Sequence, residues 1–173
     1  MIISVSEVKQ LIDVKGWKDQ KIERKLKAIE QTIRSYTNNR FQNQNVRITC
    51  PVVNQKLHGV HPALKVGDTV QVTESMFNEG LYVINATDES MIEVDTSLLE
   101  EAHVLVTKIE YPEDVVDCCI NLLEWEINNR SKVGIKSETL SRHSVTYEDS
   151  ATMFNGYPTS LLGCLKPYRK CRC

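Results

Sequence analysis

Glycine and proline are scarce in this chain, at 7 and 5 of 173 residues, which excludes collagen-like repeats and turn-rich low-complexity sequence. Apolar runs are short. Stretches such as Cys118 to Ile120 and Leu161-Leu162 fall far below the roughly 20 residues that a membrane-spanning helix needs. No Gly-Lys-Ser/Thr occurs, and Val66-Gly67-Asp68 and Asn78-Glu79-Gly80 hold isolated glycines, so phosphate-cradling loop chemistry is excluded. The six cysteines lack the spacing of a disulfide framework, with Cys118 and Cys119 adjacent and Cys171 and Cys173 crowded together. Cys164-x6-Cys171-x-Cys173 is not a structural zinc spacing either. Free thiols are the expectation. Met1 to Glu7 has no basic head followed by a long apolar stretch, which points to a cytoplasmic chain rather than an exported one.

What is present is an ordinary globular composition, 41% hydrophobic and 25% charged, with enough length to bury a core without staples. The net charge of −2 conceals three blocks. Lys15 to Arg40 carries eight basic and three acidic residues, a local +5. Val66 to Glu126 carries fifteen carboxylates against Lys108 alone, a local −14. Lys166 to Cys173 holds four basic residues and no acid. Such asymmetry speaks of partners: the blocks read either as three solvated faces, exposed charge being the default, or as self-association in which a basic face of one subunit meets an acidic face of its neighbour.

Periodicity locates the elements. Ser6, Glu7, Val8, Leu11 and Ile12 read as a short helix ending near Gly16. Ile22, Leu26, Ile29, Ile33 and Tyr36 recur at four- and three-residue intervals, one face of a longer helix that leaves through Asn38. From Val46 the period becomes two: Val46-x-Ile48, Thr69 to Thr73, Leu81 to Ile84, Met91 to Val94 and Val104 to Thr107 read as five short strands, a small closed or nearly closed barrel of SH3 type. Pro112 followed by Glu113 and Asp114 opens a further helix, with Val115, Val116, Cys119, Leu122, Leu123 and Ile127 as its buried stripe. Ile135 to Tyr157 reads as loop, with Val145-x-Tyr147 able to pair, and a last short helix runs through Leu161, Leu162 and Leu165 to a stop at Pro167. The expected fold is α+β: a core of about four helices over residues 1–45 and 109–173, interrupted by a small antiparallel β-barrel or SH3-like domain over 46–108.

Little in the chain asks for catalysis. His58-x2-His61 lacks further ligands and Pro62 breaks the helix that would align it. Ser141-Arg142-His143-Ser144 with Glu148-Asp149 contains nucleophile, base and acid types, but such residues in sequence order prove little, because triads are assembled in space. A nucleic-acid-binding barrel is the alternative from another class. The lysine-rich helix favours it, whereas the acidic block repels phosphate and aromatic residues, at 6%, offer few stacking platforms.

Ser137-Glu138-Thr139-Leu140-Ser141-Arg142-His143-Ser144-Val145-Thr146-Tyr147-Glu148-Asp149, followed by Tyr157-Pro158-Thr159-Ser160-Leu161-Leu162-Gly163-Cys164-Leu165-Lys166-Pro167-Tyr168-Arg169-Lys170, together with the opening helix pair, resembles the head-tail connector (adaptor) proteins of tailed bacteriophages. The resemblance covers residues 1–45 and 109–170, and the β insertion and the Cys171-Arg172-Cys173 ending depart from it. It implies a subunit of a ring, commonly dodecameric, beneath the portal protein at one vertex of the virion, extending the DNA channel and receiving a further connector or tail protein. It implies no catalysis, cofactor, metal or membrane. Assembly would occur in the host bacterial cytoplasm and DNA would only pass through. By the same resemblance Leu161, Leu162, Leu165, Tyr168, Arg169 and Lys170 would dock on the portal, and Ser137 to Asp149 would face a neighbour or the channel; a helical apolar stripe is usually core, so packing of the three leucines on the chain's own helices stays open beside docking. A closed ring needs two different complementary patches per subunit, so Lys18, Lys21, Arg24 and Lys25 are expected at the contact between subunits, against a neighbour's carboxylates.

Overall fold

The structure, a computed structural model, describes residues 2–129, 137–140, 143–146 and 153–171. The chain divides into two compact units, Met1–Asn39 with Tyr111–Cys173, and Arg40–Glu110.

The second unit is a closed antiparallel barrel. Its strands are β1 (Gln42–Val53), β2 (Lys56–Leu57), β3 (Thr69–Thr73), β4 (Gly80–Thr87), β5 (Ile92–Val94) and β6 (Glu101–Ile109), in the cyclic order β1-β2-β5-β4-β3-β6. Alternation drives the closure. Val70 and Val72, Ile92 and Val94, and Val104 and Val106 point inward, where they meet Val52, Leu57 and Ile84. Each such side chain contributes about 1.5–3 kcal/mol on leaving water. Closure also leaves no strand edge exposed to pair with another chain. The β1–β2 hairpin turns through Asn54 and Gln55, both left-handed at φ 51° and 65°, as a two-residue hairpin connection requires.

The first unit comprises α1 (Val5–Leu11), α2 (Asp19–Thr37), α3 (Glu113–Asn129) and a carboxyl-terminal 3₁₀ helix (Thr159–Tyr168). It also holds two two-stranded sheets, β7 (Ser137–Leu140) with β8 (His143–Thr146) and β9 (Met153–Phe154) with β10 (Tyr157–Pro158). α1 starts on a capping box: the Glu7 N–H donates to Ser4 Oγ at 3.2 Å while the Ser4 N–H donates to Glu7 Oε2 at 3.0 Å. α2 buries Ile22, Leu26, Ile29 and Ile33 and ends at Asn38 in the left-handed region, φ 48°. α3 buries Val115, Cys118, Cys119, Leu122 and Leu123, and the 3₁₀ helix packs on α2 and α3.

The expected fold class, a four-helix core carrying an SH3-like insert, is corrected on both counts. The barrel has six strands, not five, because β2 is only two residues long and carries no period-two signal. β1 begins within the polar Gln42 to Asn45, before any alternation. The other unit has three α-helices among the described residues, and its fourth helical segment is 3₁₀ and runs through Pro167 rather than stopping there. Bonding from i to i+3 spares the proline ring its clash with the carbonyl four residues back. The loop expected from Ile135 to Tyr157 contains β7, β8 and β9.

Candidate functional site

Charge separates between the units. Residues 40–110 hold five basic and ten acidic residues, net −5, and the remainder sixteen and thirteen, net +3. The acidic block read from Val66 to Glu126 is therefore divided, with five of its fifteen carboxylates on α3.

On α2 the four lysines and arginines singled out for a subunit contact differ in what they offer. Lys18 is the N-cap residue, and Lys18, Lys21 and Arg24 are exposed. Lys21 Nζ stands 3.5 Å above the Trp17 ring, a cation–π contact that fixes the ammonium beside an apolar plate. Lys25 differs. Its Nζ pairs with Glu126 Oε1 on α3 at 2.5 Å, and Glu126 is 1% exposed. Lys25 is engaged inside its own unit, because a carboxylate withdrawn that far from water requires a cation.

The carboxyl-terminal segment is likewise divided. Leu162 and Leu165 are 0% exposed and Leu161 half-buried, because the 3₁₀ helix lays its apolar face on α2 and α3. Leu162 and Leu165 pack in the interior of their own unit, the core alternative to docking. The tip is tied down through its backbone and its tyrosine. The Lys170 N–H donates to Thr37 O at 2.8 Å, satisfying a terminal carbonyl of α2. Asn39 Nδ2 donates to Tyr168 O at 3.2 Å, and Tyr168 Oη donates to Asp114 at 2.7 Å, which raises the phenol's pKa. Arg169 lies over the Tyr36 ring, 5.3 Å from its centroid. What remains outward is Lys166, Arg169 and Lys170, all exposed.

Three polar clusters escaped the sequence reading. Tyr111 Oη donates to Glu30 Oε1 at 2.7 Å and accepts from Arg34 at 3.4 Å; burial beside the Glu30 charge raises its pKa strongly. Lys25–Glu126 is the second. The third ties together two loops of the barrel: Glu101 accepts from the Met76 N–H at 2.6 Å and from Asn78 Nδ2 at 2.5 Å, and also from Ser75 Oγ. The Ser75 hydroxyl first, then the Met76 N–H and the Asn78 amide, hold the Glu101 carboxyl below its usual range. Glu126 was legible in principle, since it lies four residues after Leu122 and three after Leu123 on the α3 stripe.

Of the catalytic and metal candidates, His61 Nδ1 accepts the Ala63 N–H at 3.1 Å and lines an open cleft of about 270 Å³ with Leu64, Asp88, Glu89 and Ile92. No group of three or more His, Cys, Asp or Glu residues is placed to hold a metal ion among the described residues. Ser141, Arg142, Glu148 and Asp149 lie outside the described residues. No helix among the described residues is long and apolar enough to cross a membrane. A scan against protein-family models finds no matching family, and a search of curated proteins finds no match.

Proposed function

We propose that this chain is a structural subunit of the neck of a tailed bacteriophage, a head-tail connector that forms a homo-oligomeric ring beneath the portal and receives the next connector or tail protein. The observation that carries the reading is the opposite charge of the two units, +3 and −5, joined to a solvent-facing row of Lys18, Lys21 and Arg24 on α2. A ring is closed by a heterologous contact between two unlike patches, and a basic helix meeting a neighbour's carboxylates supplies one. The exposed Lys166, Arg169 and Lys170 at the carboxyl-terminal tip are the groups left to meet the portal, with Tyr168 and the buried leucines holding that tip in place. The barrel's acidic surface suits a path for DNA that must slide and not stick, since like charge repels phosphate. The role needs no catalysis and no cofactor.

Negative-stain imaging of the protein mixed with its portal ring tests the reading. A second ring stacked on the portal is expected, and portals that stay bare would refute it. A steeply salt-dependent shift of DNA by the protein alone would instead favour a nucleic-acid-binding barrel.

A further inference from the structure

The barrel holds three large apolar side chains in water at one end: Met76 is 82% exposed, Phe77 62% and Leu99 60%. Met76 and Phe77 lie in the connection between β3 and β4, and Leu99 in that between β5 and β6. The two connections are cross-linked. Asn78, only 3% exposed, donates from Nδ2 to Leu99 O at 2.8 Å and accepts the Leu99 N–H on Oδ1 at 2.8 Å. Glu101 receives the Met76 N–H, and Ser75 Oγ receives the N–H groups of Phe77 and Asn78 at 3.3 and 2.6 Å. Glu74, which opens the turn, sits in the left-handed region at φ 56°, a conformation that costs a non-glycine residue about 1 kcal/mol or more. The loop is hydrogen-bonded in a shape that presents its methionine and phenylalanine to solvent. Pre-ordering of this kind lowers the cost of binding, and exposed apolar clusters with polar rims mark interaction sites. The rim is acidic, with Glu74, Glu79 and Glu100 all exposed.

The turn between α1 and α2 has the opposite character. Leu11 is 61% exposed and Trp17 half-buried. Lys15, Lys18 and Lys21 flank them along the chain, all exposed and outnumbering the exposed Asp13 and Asp19, with Lys21 over one side of the indole and Asp19 held by Lys9. The turn is fixed by left-handed Lys15 and Gly16, φ 48° and 71°, and by the Lys9–Asp19 ion pair at 2.5 Å. An apolar centre with three lysines around it complements an apolar tip with three carboxylates around it, and thioether and phenyl groups are suitable partners for an indole. We infer that the barrel tip of Met76, Phe77 and Leu99 is a docking knob that seats on the α1–α2 turn of a second copy of this chain, about Leu11 and Trp17. The inference rests on the ring reading and deepens it by naming the apolar anchors and the acidic rim of the subunit contact. A knob and a seat are unlike surfaces, so each copy keeps one of each available and the contact propagates.

Sedimentation velocity of the full chain, alone and with the portal, tests this on exposed positions that leave the fold intact. Wild-type protein is expected to self-associate, less at high salt. Phe77→Ser with Met76→Ser should weaken association at least tenfold, as loss of central apolar anchors does. Glu74→Lys with Glu79→Lys, and separately Lys18→Glu with Lys21→Glu, should each weaken it, and the four changes together should restore it. If the serine variants associate as wild type does while the Lys18→Glu/Lys21→Glu variant does not, the knob is wrong and the ring reading stands. If wild type associates with itself neither alone nor on the portal, both fall. A photo-reactive phenylalanine at position 77, in mixed heavy- and light-isotope protein, should cross-link to residues 9–21 of a different chain. Cross-links confined within one chain, or to the portal alone, would overturn the inference.

Discussion

At the scale of single residues, the buried cysteines behave as apolar fillers with a dormant titration. Cys50, Cys118 and Cys119 are buried, whereas Cys164 and Cys171 are exposed. Burial pushes the Cys50 thiol up to about 11. Burial and then the Glu30 charge push Cys119 to about 12. Burial raises Cys118 strongly, and the neighbouring Cys164 thiol adds to the rise. A thiol whose pKa is higher in the folded than in the unfolded chain stabilises the fold fully below its ordinary range, near 8.5. That contribution is lost as pH climbs through the folded-state value. The melting temperature is therefore expected to be level from neutrality to about pH 8.5 and to fall beyond it, less steeply in Cys119→Ala. In native protein at neutral pH a thiol reagent should label Cys164 and Cys171 rapidly and Cys50, Cys118 and Cys119 only on unfolding, since the thiolate is the nucleophile and must be reachable. Peptide mass mapping reads this directly, and rapid native labelling of Cys118 or Cys119 would contradict the burial.

At the scale of elements, α2 and α3 are joined by an apolar seam and one ion pair across it. Because Glu126 is buried and Lys25 a third exposed, Lys25→Met should take from the carboxylate the cation it faces across the seam and cost about 3 kcal/mol in urea unfolding, while Lys25→Met with Glu126→Leu should recover most of it. An additive double mutant would mean that the pair is not coupled. The same seam shows what could be read from the letters. Ile22, Leu26, Ile29 and Ile33 disclose α2 because spacing of three and four is a one-dimensional trace of a buried face. Glu126 was passed over because its charge, read alone, says surface, although its position on the α3 stripe says interior. Leu162 and Leu165 pose the converse question. Their apolar face is visible in sequence, but nothing in one chain's letters tells a face that packs at home from one that packs on a partner. In the barrel, Val70-x-Val72 and Val104-x-Val106 announce strands by alternation. The two residues of β2 cannot alternate, and their membership in the sheet is decided by Leu57 pairing with Ile92, a contact between distant positions. The tip network of Ser75, Asn78 and Glu101 was invisible for that reason too.

At the scale of the whole molecule, the barrel unit is bounded by two chain crossings that lie side by side. Gln42 pairs with Ile109, and the Glu110 N–H donates to Phe41 O at 2.9 Å. Domains of this size are marginal when a sheet leaves open edges and a thin core. This one has a closed sheet around thirteen buried residues, among them Val70, Val72, Val104 and Val106 at 0% exposure. Its two ends are so close that removing the unit asks the rest of the chain to span only a short gap, and loop closure of a few residues costs little. Residues 40–110 expressed alone should therefore fold with a cooperative thermal transition and a β-type circular dichroism spectrum. The complementary protein, with 41–109 replaced by a Gly-Ser linker, should keep its helical spectrum and its Lys25–Glu126 coupling. Cooperative melting of both pieces would establish that each unit carries its own core. Loss of the transition in either would mean that its stability is borrowed, and would require the barrel tip and the α1–α2 turn to be tested only in the intact chain.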